Sequence, residues 1–422
     1  MLGQILLLLA ILFVAVSMAF VIKNVRIKNR ALKKLAEINT QEISDWNSQK
    51  LNHKRTQMDP LADNTVATIM SKNEEGEINH LFKSIVKDRN HLPPMAPAEL
   101  HHYFDTSAQL PDWADPDLIA LGQQIYLRHG FWIGLLLCYK SLPECYACAR
   151  GAEVLHRTAR LNEKDGSLDT YSRRIAETAQ FVVFAMSPDG LSPKGKGLVS
   201  TQKVRLIHAT IRFFLKQHHW EDEKFGQPIN QEDLAGTLMS FSALVIEGLE
   251  IIGIEFEPVE LEAYIHCWRV VGHIVGLDKD LIPKNSQDAL KLGHSILDKE
   301  MAPSVHAKEL VRALRQFQDV KSKPILGSNS NIALMRLMMG KEVSDLLGVE
   351  PIEQQKIDSI QKKLKRITKI GEILDKSLVF SMVLQFVTRL ALTLMLRRMS
   401  NKSIINFYLP KSLTKDWEPT TH

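Results

Sequence analysis

Cysteine is scarce in this chain, four in 422 residues. That is too few for a disulfide framework at this size. Cys145 and Cys148 form a CxxC, but they sit in ECYACARGAEVL, whose pattern predicts helix, and no second ligand pair stands at zinc spacing. Cys138 and Cys267 fall in apolar contexts, where buried thiols are common. Strand-like alternation of period two is missing over any useful length, which predicts an all-α fold of helix packed on helix. No GxSxG, HExxH or dinucleotide glycine fingerprint occurs. The loop SPDGLSPKGKG lacks the GxxxxGK[ST] order of a phosphate-binding loop and follows no strand, so it is a connector. Excess charge is small as well. Lys+Arg 53 against Asp+Glu 48 leaves +5, much of it beside apolar segments, and nothing points to nucleic acid.

What the chain does have is apolar length at both ends. Residues 2–22, LGQILLLLAILFVAVSMAFVI, carry no charge and are long enough to span a bilayer. Lys23, Arg26, Lys28, Arg30, Lys33 and Lys34 follow at once, which by the positive-inside rule keeps the downstream chain cytoplasmic. A cleaved signal peptide is the rival, with Ser17-Met18-Ala19 as its site. It lacks a basic n-region and carries its basic residues on the wrong side, so a single-pass anchor is favoured over it. Near the other end, the basic run QKKLKRITK leads into SLVFSMVLQFVTRLALTLML, broken by Arg389. A central arginine costs about 2.5–3.5 kcal/mol on insertion scales, which favours a helix packed on the domain or lying at the membrane interface.

Between these ends the periodicity is helical. Leu35 to Asn90 is polar and weakly periodic, as a tether with short helices would be. Asp115-Pro116 predicts a helix start with proline at the first position. Glu144 to Leu161 and Ser172 to Met186 predict two further helices. Asn230 with Asp233 resembles a capping box, and Gly248 and Gly253 fit the end of the helix that follows. Ser304 caps VHAKELVRALRQFQ.

Three side chains stand out on apolar faces. VSTQKVRLIHATIRFFLKQHHW, from Val199 to Trp220, puts Thr201, Val204, His208, Ile211 and Leu215 on one stripe. His208 in its middle is either a core histidine with both nitrogens satisfied or a metal ligand. In YSRRIAETAQFVVFAM, Tyr171, Arg174, Thr178, Phe181 and Ala185 share a face. Arg174 there needs an acceptor or an anion, or else it snorkels out. Thr178 either bonds back to its own helix or serves the same space. His266 and His273 share a face and rival His208 as ligands. Gly272 and Gly276 between and after them admit the close approach of a helix or a flat cofactor.

Taken together, LPDWAD…IALGQQIYLRHG, GAEVLHRTARL, RRIAETAQFV, KVRLIHATIR, GQPINQEDL…FS and YIHCWRVVGHIVGLD…LIP resemble the rubber oxygenase (latex clearing protein) family, with the MpaB-type membrane-bound oxygenases. The resemblance runs in order from Leu110 to Pro283. It implies a globin-like helical core around a b-type haem, with His208 as proximal iron ligand and Arg174 and Thr178 near the distal face. Glu177 stands where rubber-cleaving members can carry a lysine over the distal iron, which leaves the distal ligand and the substrate open. The chain then divides into residues 1–34 as membrane anchor and basic flank, 35–109 as linker or N-terminal extension, 110–345 as haem-binding oxygenase domain, and 346–422 as a basic and hydrophobic helical region. The function expected is a membrane-anchored, haem-dependent oxygenase. It uses dioxygen to cleave C=C bonds of an isoprenoid or lipid-like substrate drawn from the bilayer. The alternatives are a membrane-tethered haem sensor or carrier without turnover, and a haem-free helical interaction protein.

Overall fold

A computed structural model describes residues 2–38, 40–72, 96–158, 168–321 and 330–375, with a few isolated positions between 383 and 394. Sixteen helices are named in chain order: α1 Leu2–Leu35, α2 Ser48–Arg55, α3 Pro60–Lys72, α4 Ala98–Ser107, α5 Pro116–Leu136, α6 Leu142–Ala147, α7 Ala149–Arg157, α8 Leu168–Met186, α9 Lys196–Gln217, α10 Gln231–Phe241, α11 Ala243–Ile251, α12 Pro258–Val275, α13 Ser286–Glu300, α14 Val305–Lys321, α15 Ser330–Leu346 and α16 Gln354–Asp375. No strand occurs among the described residues. The nearest thing is an isolated antiparallel bridge between Cys148 and Met301. The all-α fold is therefore as expected. Nearly all of the apolar tail that follows α16, and positions 322–329 of the loop KSKPILGSNSN, lie outside the described residues.

The helix starts follow local chemistry. Asp115 accepts from the backbone N–H groups of Asp117 and Leu118, at 2.9 and 3.0 Å, with Pro116 at the first position. Asn230 accepts from Asp233 N–H at 2.9 Å, and Glu257 and Glu260 close a full capping box on α12. Ser304 accepts from Ala307 N–H at 3.2 Å. Gly276 ends α12 at φ +90°, where a left-handed residue lets Leu277 N–H reach Gly272 O at 2.9 Å.

Two helices expected to be continuous are broken. The stretch through Cys145 and Cys148 stops at Cys148 (ψ 87°), because the backbone there turns aside to pair with Met301 and Ala302. The helix after Asn230 breaks at Ser242 (φ −117°, ψ −90°), and the freed Phe241 carbonyl accepts from the Tyr264 hydroxyl at 3.2 Å. Gly248 consequently lies inside α11 rather than at its end. Its bare backbone meets Leu136 and Lys140, while Gly253, at φ +85°, takes the terminating role.

The core is built on the crossing of α5 and α12, the most intimate among the described residues. A Cβ on Gly122 would stand 2.3 Å from the Ala263 carbonyl oxygen, so only glycine permits the approach. Gly272 plays a milder part. What it admits is the side chain of Leu238 from α10, not a neighbouring backbone.

The stretch 35–109, read as linker or N-terminal extension, contributes α2, α3 and α4, packed on the domain. Its polar character has a cause in part: four of its charges are paired at buried or half-buried sites. Lys54 bonds Asp278 at 2.7 Å, and Arg55 meets Glu232, Asp233 and Glu300 within 3.3 Å. Asp59 takes Arg205 by two bonds of 2.6 and 2.7 Å, and Asp63 takes Arg212 at 2.7 Å. The inner half of α1 also joins the domain. Ile27 and Ala31 are buried, Lys28 pairs with Glu257, and Arg30 pairs with Asp117 at 3.0 Å.

Candidate functional site

α9 has two faces, and both are covered. Its outer face carries Arg205 and Arg212 to α3. Its inner face carries Val204, Ile207, His208 and Ile211 into the wall of a cavity of about 260 Å³. That is well above the ~150 Å³ left by deleting one large side chain from a core, so it is a built space rather than a packing defect. The remaining walls come from α6, α7, α8, α10, α11, α12 and α13. Phe181, Phe241 and Trp268 supply aromatic surface to a largely apolar lining. Mean spacing alone predicted the α9 stripe, and every member of it is buried or on this wall.

His208 faces the cavity. Burial, then the Arg212 and Arg174 cations, depress its pKa to about 3, so the ring is neutral. Neither ring nitrogen has a hydrogen-bond partner among the described residues. A core histidine is usually satisfied by its neighbours, and this one is not.

Arg174 and Thr178, one turn apart on α8, line the same cavity. The guanidinium donates to Thr178 Oγ1 at 3.0 Å, and the Thr178 hydroxyl in turn donates to the Arg174 carbonyl at 3.2 Å. Both readings of the threonine are therefore met at once. No carboxylate pairs with Arg174 among the described residues. Its charge is directed into the cavity by a hydroxyl that orients it without neutralising it.

The rival histidines are elsewhere. His266 Nε2 accepts from Asp115 N–H at 2.9 Å, and His273 meets Gln109 O at 3.1 Å. Both stack edge-on against Trp113, outside the cavity lining. Among the described residues no group of three or more His, Cys, Asp and Glu is arranged to hold a metal ion. Glu177 lies on the cavity wall and is fully buried.

Other residues on the wall were not expected at this site. Cys145 and Cys148 line the cavity as free thiols. Burial raises Cys145 to about 11 and Cys148 well above its usual value, so neither is a thiolate at neutral pH. Asp233 and Glu300 also reach the wall, while their oxygens are engaged with Arg55, Arg150 and Lys299. Glu144 from α6 completes the polar side. Only the tertiary approach of helices distant in sequence brings these groups together.

Comparison with known proteins finds relatives of this chain. The rubber oxygenase of Streptomyces sp. (strain K30) is 26% identical over 298 residues, covering 69% of this chain and 70% of that one. A latex clearing protein solved in a closed state shares the fold, with a TM-score of 0.60 and 22% identity over 85% of this chain and 92% of the other. The family model for the catalytic domain of the ER-bound oxygenase mpaB/B′ and rubber oxygenase matches residues 146–366, a span that holds His208, Arg174 and Thr178. With more than half of its length matched in this way, the chain belongs to the ER-bound oxygenase mpaB/B′ and rubber oxygenase family.

Proposed function

We propose that this protein is a haem-dependent oxygenase that cleaves carbon–carbon double bonds of an isoprenoid or other lipid-like substrate. The observation that carries the reading is His208, a neutral imidazole with no partner among the described residues, on the wall of an apolar cavity. The residues present fit a b-type haem. Its iron asks for a neutral imidazole, its faces for apolar walls, and its propionates or a developing negative charge for an unpaired cation. His208 would hold the iron, and Arg174 would meet the negative charge. Bound there, the haem supplies the iron chemistry that activates dioxygen.

The chain's own contribution is placement. Thr178 fixes the guanidinium of Arg174 without cancelling its charge. Phe181, Ile207, Ile211 and Trp268 exclude water and pack an alkene. The name of the Streptomyces relative suggests polyisoprene as one substrate class, and the apolar lining supports a hydrocarbon chain of that kind. The reading as a haem carrier calls for a second strong ligand closing the site. His273 does not serve, being engaged by Gln109 O and lying off the wall.

Membrane attachment is part of the proposal. α1 extends for 34 residues, and described burial along it begins only at Ile27. About 20 residues of helix span the ~30 Å of a bilayer core, so its first half suits an anchor. The stretch Gln231–Ile251 also has the length and apolar character of a span, but it is 72% buried and belongs to the core as α10 and α11.

The deciding experiment is an absorption spectrum of the purified protein, before and after dithionite, beside His208→Ala. A Soret band in the wild type that disappears in the variant is expected. Protein produced with ample haem and still lacking that band would end the oxygenase reading.

A further inference from the structure

One carboxyl group of the cavity wall has no task in the reading above. Glu144 stands in the first turn of α6, directly after the π-helical turn Leu137–Ser141. It is 3% exposed and lines the cavity. Its Oε1 accepts from Lys140 Nζ at 2.6 Å. Lys140, itself buried, also meets Glu247 at 2.8 Å, and Glu247 meets His294 Nε2 at 2.9 Å. The His294 side chain is 42% exposed, so this line of ion pairs runs from solvent to the cavity wall.

Of its four members only Glu144 lines the cavity, and only Glu144 keeps a buried oxygen, Oε2, with no partner among the described residues. A buried carboxyl oxygen without a donor is a loss that the fold has not made good within itself. A hydrocarbon in the cavity would leave it so. The surroundings are polar at this end. Ser240 of α10 also lines the cavity and meets Cys145, the residue after Glu144. Phe181, Val204, Ile207 and Ile211 form the apolar remainder on α8 and α9.

We propose that Glu144 recognises the polar end of an amphiphilic substrate, an isoprenoid or lipid alcohol whose hydroxyl bonds Oε2 while its chain fills the apolar part of the cavity. The inference rests on the oxygenase reading of this cavity and narrows its substrate class. Burial lifts the Glu144 carboxyl to about 7 against the opposing pull of Lys140, with Glu247 raising it further and His294 lowering it. Near neutral pH it is present as acid and as carboxylate. The acid donates to a hydroxyl and the carboxylate accepts from one, so both forms hold an alcohol.

The test is calorimetric titration of farnesol, and of β-farnesene as the matching hydrocarbon, into the full chain in lipid nanodiscs. Empty nanodiscs are titrated alongside, and the haem spectrum is recorded on the same sample. Farnesol is expected to bind roughly tenfold more tightly than β-farnesene, as one well-placed buried hydrogen bond allows. The double variant Lys140→Met with Glu144→Leu removes both charges together and is expected to bring the two ligands level, by weakening farnesol. Equal affinities in the wild type overturn the proposal, as does an alcohol preference that survives the double substitution. If that variant does not fold, the wild-type comparison decides alone. Neither ligand binding to protein with a Soret band overturns this inference only. Neither binding to protein without a Soret band overturns the oxygenase reading with it.

Discussion

Two imidazoles on apolar faces, His208 and His266, are both depressed to about 3, and they differ in what their nitrogens meet. His266 spends Nε2 on the Asp115 N–H, whereas neither nitrogen of His208, on the cavity wall, has a partner among the described residues. That difference was not legible in the sequence, where each is a histidine on an apolar face. The stripe around His208, and the shared face of Arg174 and Thr178, were legible because helical period fixes them. Arg174→Ala is expected to keep the Soret band and lower turnover about a hundredfold or more, the usual loss when a preorganised donor is removed from a dry site. Steady-state rates on haem-loaded protein check it. His129, also depressed to about 3 by burial and then Arg128, gives a pH test away from the cavity. An unfolded imidazole binds its proton below about 6.5 while the folded one stays neutral to about 3, so stability falls as pH drops through that window. His129→Phe, which keeps a ring against Phe256, should reduce the loss between pH 6.5 and 4.5 by about 2–3 kcal/mol in urea unfolding.

Helix starts were readable because caps are local. Asp115, Asn230 and Ser304 all bond as their spacing implied. Helix interruptions were not, since Cys148 and Ser242 break where a partner distant in sequence claims the backbone. Nor was the packing of α2 to α4, because buried ion pairs and solvated charges look the same in one dimension. The α5–α12 crossing depends on a single missing Cβ. Gly122→Ala would press a methyl group into the Ala263 carbonyl and the Cys267 sulfur. A cost of about 3 kcal/mol is expected from denaturant unfolding, with the far-ultraviolet circular dichroism unchanged.

For the whole molecule, the all-α architecture followed from missing strand patterns, whereas the cavity is a product of eight helices meeting and has no linear signature. Removal of residues 2–22 is expected to move the protein from the membrane pellet to the supernatant with its haem spectrum intact. Retention in the pellet would transfer the attachment to residues 377–396. The outer face of α9 carries a last consequence. Arg205 and Arg212, two turns apart, grip Asp59 and Asp63, one turn apart at the start of α3. These pins index α9 along its axis, so the helix cannot slide by a turn without losing both. The height of the imidazole on the adjacent face, one turn from each arginine, is thus calibrated by a part of the chain that never touches the cavity.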